Sequence, residues 1–221
     1  MALDRRTVVR MGLQVLDDVG LDALTLRKIA SELGVQPPAL YWHFKSKQDL
    51  IDEMATSLLT EDAAPVPDGL GWREFATVYS HGLRRMLLRH RDGARMFAGT
   101  YLTDTSVYER QEAALRILTD AGFTVTDAAE ALYTIYSYTI GFVIEEQAVY
   151  PRPGQRSDLY DIDRRTERMA DQDVPMSVEA GRTMFADHDT RFARGIQAII
   201  TGVGAWVDQV NVGTNASANN P

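Results

Sequence analysis

The sequence predicts an all-α fold: an N-terminal three-helix helix-turn-helix domain followed by a larger helical domain. Three observations carry this expectation. Apolar residues recur at helical spacing through nearly every segment. No stretch keeps a period-two alternation for long, and hairpin signals are lacking. Segment ends carry capping residues, Gly or Pro where helices start and stop.

The first helix is expected over the stripe Val8, Met11, Val15, Leu16 and Val19, which lies on one helical face and ends at Gly20. Thr25 is placed to cap a second helix carrying Leu26, Ile29, Ala30 and Leu33, with Gly34 as its stop. After Val35 and Gln36, the pair Pro37-Pro38 suits a first helical turn, whose amides lack intrahelical partners anyway. The third helix is short, Ala39 to Phe44. Ser46-Lys47-Gln48-Asp49 resembles a capping box opening a fourth helix with Leu50, Ile51, Met54 and Leu58. Residues 63–71 (AAPVPDGLG) form a Pro/Gly linker. Further helices are expected over 72–89, 93–101, 108–121, 127–150, 177–186 and 189–210. The stretch 151–175 is polar, charged and Pro-flanked, and is expected to be a mobile loop. The resulting division is a DNA-binding domain over 1–46, a connecting helix over 47–62, a second domain over 72–211 and a disordered tail over 212–221.

Composition narrows the function classes. The chain has 221 residues, no Cys, and 23 Lys+Arg against 31 Asp+Glu, a formal charge of −8. The lack of Cys removes disulfides, thiolate metal sites and a Cys nucleophile. No apolar run of about 18 residues exists, so no membrane span is expected. The N-terminus has charges but no apolar segment behind them, so no secretory signal is expected and the cytoplasm is the default. The acidity is uneven. The first fifty residues hold seven basic and six acidic side chains, whereas the remaining 171 hold 16 and 25. A small positive patch on an acidic body can serve as a footprint for a polyanion.

Two short helices joined by a tight turn form a helix-turn-helix, whose second helix can enter a major groove. In the third helix Leu40 and Phe44, four apart, can face a core together. Tyr41, Trp42 and His43 then project elsewhere, and a duplex offers thymine methyls, sugars and phosphates to such side chains. Arg27 and Lys47 would flank the groove. On spacing alone, ordinary packing residues of a helical domain fit equally well.

The residues Thr25-Leu26-Arg27-Lys28-Ile29-Ala30-Ser31-Glu32-Leu33-Gly34-Val35, followed by Pro38-Ala39-Leu40-Tyr41-Trp42-His43-Phe44-Lys45-Ser46-Lys47, resemble the N-terminal module of the TetR family of transcriptional regulators. Further along, Trp72 to Phe75, Leu87-Leu88-Arg89, Arg91-Asp92-Gly93-Ala94, Gly99-Thr100 and Ala121-Gly122-Phe123 resemble the ligand-binding domain of the tetracycline-repressor subgroup. The resemblance implies a homodimer on a palindromic double-stranded operator, with helices 127–150 and 189–210 forming a four-helix bundle with the partner. Their Ile, Val and Phe stripes fit such an interface, and burial inside one subunit would look the same. It also implies DNA contacts at Thr25, Arg27, Lys28, Pro37, Pro38, Ala39, Tyr41, Trp42, His43 and Lys47. Arg27 would read a base edge, guanine by preference, while Tyr41, His43 and Lys47 would hold phosphates. Two positions depart from the tetracycline repressor. Pro37 replaces a base-reading Gln and Ala39 a contacting Thr, which implies a different operator.

The effector site departs further. Phe97 stands where the subgroup has a magnesium-ligating His, and Ala63 where it has another His. Tyr79 and Ala114 replace the Asn and Gln that grip the drug, and Tyr101-Leu102 an Arg-Pro. Glu145 matches a pocket-closing Glu. Phe cannot ligate magnesium, which takes oxygen or other lone-pair donors. The expected effector is therefore a small, largely hydrophobic molecule other than tetracycline-magnesium, with no cofactor and no metal. Tyr79, Leu83, Met86, Phe97, Thr100, Leu132, Tyr133, Tyr136 and Glu145 are the expected ligand-binding residues, although Met and aromatic side chains at this spacing also suit a plain core. Catalysis is not expected: His43, His81, His90 and His188 lack metal-ligand spacing, and no HExxH, GxSxG or phosphate loop occurs. A protein-interaction module that has lost DNA binding is the third class, and the intact aromatic run argues against it.

Overall fold

The computed structural model describes residues 3–62, 67, 69–152 and 154–217. Eleven α-helices are found among them: α1 Arg5–Val19, α2 Leu26–Glu32, α3 Pro37–Tyr41, α4 Lys47–Ser57, α5 Trp72–Leu87, α6 Gly93–Phe97, α7 Ser106–Asp120, α8 Val125–Val149, α9 Ile162–Glu167, α10 Pro175–Met184 and α11 His188–Ser217. A π-helical turn, Leu58–Asp62, extends α4. No strand occurs among the described residues, only an isolated bridge between Arg152 and Gln155.

The helix starts follow the local chemistry. The Asp4 carboxylate accepts from Thr7 N at 2.7 Å and opens α1. Thr25 Oγ1 accepts from Lys28 N at 3.2 Å, and Ser46 Oγ from Asp49 N at 3.0 Å. Each satisfies an amide that has no partner inside its helix. Gly20 and Gly34 take φ of 79° and 67°, the left-handed region that a Cβ disfavours, where the first two helices stop. Thr124 caps α8, accepting from Asp127 N at 3.1 Å, so that helix starts before the expected position 127.

One apolar cluster runs through both halves of the chain. Val8, Leu16, Ile29, Leu40, Phe44, Leu50 and Met54 join Leu83, Met86, Leu87, Met96, Phe97 and Val143. A second cluster, with Phe75, Leu118, Phe123, Ala131 and Val203, packs α5, α7, α8 and α11. A third, of Ala76, Ile135, Phe192, Ile196 and Ile200, seals α5, α8 and α11.

Three expectations change here. The α11 stripe Phe192, Ile196, Ile200, Val203 and Val207 is buried inside the subunit, so it is not an outward face. The stretch 151–175 is not one loop: it holds a 3-10 turn, Asp158–Tyr160, and α9, whose first turn is capped by Asp161. The backbone of α11 stays helical to Ser217, past the expected start of the tail at 212. Most of the linker 63–71 and residues 218–221 lie outside the described residues.

The turn after α1 is fastened to the larger domain. Asp17 meets His90 Nδ1 at 2.9 Å and accepts from Arg91 N at 2.9 Å. The Asp92 carboxylate accepts from Leu21 N at 2.9 Å, and Arg95 reaches Asp22 at 2.9 Å. These bonds fix the helix-turn-helix on the α5–α6 corner.

Candidate functional site

The short helix α3 and the turn that follows it, residues 42–44, divide their side chains sharply. Leu40 and Phe44 are fully buried, whereas Tyr41 is 53% and Trp42 90% exposed. His43 is half-buried. The chain closes after Tyr41 because both His43 N and Phe44 N donate to the Leu40 carbonyl at 2.9 Å. That turn drives Phe44 into the core and leaves the indole of Trp42 in water. An indole in water forgoes the burial that normally stabilises it, so this exposure suits a partner surface.

Around α3 the other expected contact residues are displayed. Arg27, Lys28, Thr25 and Pro38 are exposed, and Pro37 and Ala39 are half-exposed. Lys47 is partly engaged already, since its Nζ donates to the Leu21 carbonyl at 2.7 Å. An ammonium has three donors, so this bond takes one of them and holds the side chain beside the turn. A surface cleft of about 740 Å³ borders Tyr41, Trp42 and His43, with Arg5, Lys45, Ser46 and Asp49 as its other walls. Arg5 was not singled out by sequence. Its guanidinium lies over the Phe44 ring, 4.5 Å from the centroid, and donates to the His43 carbonyl.

The second group of expected residues gathers between α5, α6 and α8. Leu83, Met86 and Phe97 are buried. Tyr136 packs on Phe97 with ring centroids 6.4 Å apart and stacks on Tyr133 at 6.0 Å. Tyr79 stacks on Phe75 at 5.9 Å and touches all three apolar clusters. Burial pushes the Tyr79 phenol up to about 12, and the Tyr136 phenol adds to this. Burial raises Tyr136 as well. Both therefore stay neutral hydroxyls near pH 7. Thr100 Oγ1 donates to the Phe97 carbonyl at 2.7 Å. Leu132 is half-buried against the Phe75–Phe123 cluster. Two residues are placed differently from expectation. Tyr133 is 70% exposed and Glu145 is exposed, so neither lines an interior site of this chain alone. The neighbouring Glu146 turns inward instead. It accepts from Arg84 Nε at 2.8 Å and from a terminal guanidinium nitrogen at 2.6 Å, and Arg84 also pairs with Asp189 at 2.7 Å. Among the described residues, no group of three or more His, Asp or Glu could hold a metal ion. Phe97 itself is buried against Tyr136 and offers no lone pair. Ala63 lies outside the described residues.

With this geometry in view, two family models match the chain. One, described as "Bacterial regulatory proteins, tetR family", covers residues 9–54, and one described as "Tetracyclin repressor-like, C-terminal domain" covers 64–207. The chain belongs to the tetR family of bacterial regulatory proteins. It is a DNA-binding transcriptional regulator with a C-terminal ligand-binding domain, and this family consists of regulators, not enzymes. A tetracycline repressor protein of class C from Escherichia coli is 38% identical over 91% of this chain and 90% of its own. Among solved structures, a possible TetR family regulator from Streptomyces coelicolor A3(2) is 34% identical with a TM-score of 0.79, over 91% of this chain and 99% of that one. BioQ, solved with its double-stranded DNA operator, is 29% identical with a TM-score of 0.64, over 92% of this chain and 99% of that one. No described helix is long and apolar enough to cross a membrane.

Proposed function

We propose that this tetR-family regulator is a cytoplasmic repressor that binds a palindromic operator as a homodimer and is released by a small, largely hydrophobic effector. The observation that carries the DNA reading is the division of α3, with Leu40 and Phe44 buried beneath exposed Tyr41 and Trp42. Two copies of α3 would occupy successive major grooves, about 34 Å apart. Arg27 would read a base edge, and Thr25, Lys28, Tyr41, His43 and Lys47 would fix the register on phosphates. Trp42, Ala39, Pro37 and Pro38 would supply apolar contact at the groove floor.

The dimer would form through the outward faces of α8 and α11. Ser137 and Gly141 on α8, and Ala198, Gly202 and Ala205 on α11, are exposed and small enough to let helices approach closely. The effector would sit among Tyr79, Leu83, Met86, Phe97, Thr100 and Tyr136, with Leu132 behind Tyr79. Two neutral phenols in apolar walls suit a molecule with a few hydrogen-bonding groups. A magnesium chelate does not fit, because Phe97 has no donor atom to give it. Release follows if the effector prefers a conformer in which α4 has tilted, since a ligand shifts an equilibrium only through differential affinity. α4 is placed for this role: it begins beside α3 and packs on α6, which carries Phe97.

Selection from random duplexes tests the reading. Enrichment of a palindrome different from the tetracycline operator is expected. Recovery of no sequence, or of the tetracycline operator as the best site, contradicts it.

A further inference from the structure

The N-terminal helix and the loop after α6 meet at one oxygen atom. Arg5, at the start of α1, donates to the backbone carbonyl of His43 just beyond α3. A second nitrogen of the same guanidinium donates to Glu53 Oε2 on α4 at 3.1 Å, and Asp49 stands 3.9 Å away. From the other side, the Thr103 hydroxyl donates to the same Glu53 Oε2 at 2.9 Å. The loop bearing Thr103 meets α4 at three further contacts, one of them between the Thr103 and Thr56 hydroxyls, 3.2 Å apart. Thr103 N donates to Thr56 Oγ1 at 2.9 Å, and Tyr101 N to Asp52 Oδ1 at 3.2 Å.

Exposed pairs of this kind contribute little to stability. Their geometry has another consequence. Arg5 presents a rigid fork, so the direction of its bond to Glu53 sets the direction of its bond to the His43 carbonyl. Thr103 helps to fix where the Glu53 carboxylate lies. The loop follows directly from Phe97 and Thr100, so a displacement there reaches the end of α3 through three hydrogen bonds and the side chains of Glu53 and Arg5. We propose that Glu53 is a positioning residue that couples the 101–104 loop to the recognition helix α3 through Arg5. The mechanical link stands by itself; its effect on operator affinity rests on the DNA reading above.

Hydrogen exchange on the DNA-free full chain tests the link directly. Thr103→Val keeps the shape and removes the hydroxyl. It is expected to speed exchange about threefold or more in peptides covering 37–44. Coupling is reciprocal, so Arg5→Lys, which keeps the charge but loses the fork, is expected to speed exchange at 100–104. Thr103→Ser retains the donor and should leave both regions at wild-type rates. Unchanged exchange at 37–44 in folded Thr103→Val, or an equal change in Thr103→Ser, overturns the proposal. A second arm measures affinity for the duplex that the wild type enriches. Independent sites would combine to within about twofold of the product of the single effects. Arg5→Lys and Thr103→Val are expected to depart from that product by more than about threefold, and simple multiplication overturns the proposal. If the wild type enriches no duplex, the DNA reading fails, and the exchange result still decides the link.

Discussion

Replacing Trp42 with Ala separates a DNA-facing residue from a packing residue. Trp42 is 90% exposed, so its removal leaves no cavity, and the stability change should stay within about 0.5 kcal/mol. A Trp side chain offers roughly 200 Å² of surface. If a duplex covers about half of it, the lost contact is worth about 2.5 kcal/mol at ~25 cal/mol/Å². That corresponds to roughly a 60-fold loss per half-site, and for the two indoles of a dimer on a palindrome to about 5 kcal/mol, roughly a 4,000-fold weaker Kd. Phe44→Ala is the opposite case. Phe44 is fully buried, and its loss should cost about 3–5 kcal/mol of stability. Urea unfolding at fixed protein concentration and fluorescence anisotropy on the selected duplex read the two quantities separately. A Trp42→Ala protein that loses more than about 1 kcal/mol of stability would refute this reasoning. So would affinity retained to within about twofold.

The remaining predictions concern the body of the molecule. Glu146→Ala leaves the buried Arg84 guanidinium, among the described residues, with only the exposed Asp189 carboxylate as its charge partner and should cost about 3 kcal/mol, whereas Asp189→Ala, on a carboxylate 89% exposed, should cost under about 1 kcal/mol; thermal unfolding compares them. Tyr79 keeps its proton in the folded state up to about pH 12, while the unfolded chain releases it near pH 10. Tyr79 should therefore contribute a fall in stability of about 2–3 kcal/mol as pH rises between these values, and Tyr79→Phe should make the alkaline fall shallower by that amount in pH-dependent urea unfolding, the raised Tyr136 and Tyr138 keeping the rest. A Cβ at Gly202 would meet nothing within 4 Å in this chain and the position is exposed, so Gly202→Arg should fold normally yet sediment as a monomer in ultracentrifugation. A Cβ at Gly93 would run into the Leu87 carbonyl, so Gly93→Ala should lose about 1–3 kcal/mol in the same unfolding assay.

The first fifty residues were largely legible because their signals are local. Thr25 and Ser46 sit one residue before helical stripes, and Leu40 and Phe44 are one helical turn apart. The separation of Tyr41 and Trp42 from the core follows from that turn. The larger domain was legible as helices but not as contacts. Adjacent carboxylates at 145 and 146 look alike in sequence, and only Arg84, 62 positions away, shows which one turns inward. The α11 stripe could face a partner or its own subunit, and α5 and α8 decide it. Arg5 and Glu53 lie 48 positions apart, so nothing local pointed to their bond. The capped start of α9 at Asp161 was a local signal, hidden among the many charges of 151–175.

The most direct test watches the indole of Trp42 itself. In a Trp72→Phe/Trp206→Phe protein Trp42 is the sole tryptophan, and acrylamide quenching can be followed while the selected duplex is added. Shielding of Trp42 from the quencher in the complex, with an emission change saturating at one duplex per dimer, is the expected result. An indole as accessible in the saturated complex as in the free protein would place α3 outside the groove and contradict the account.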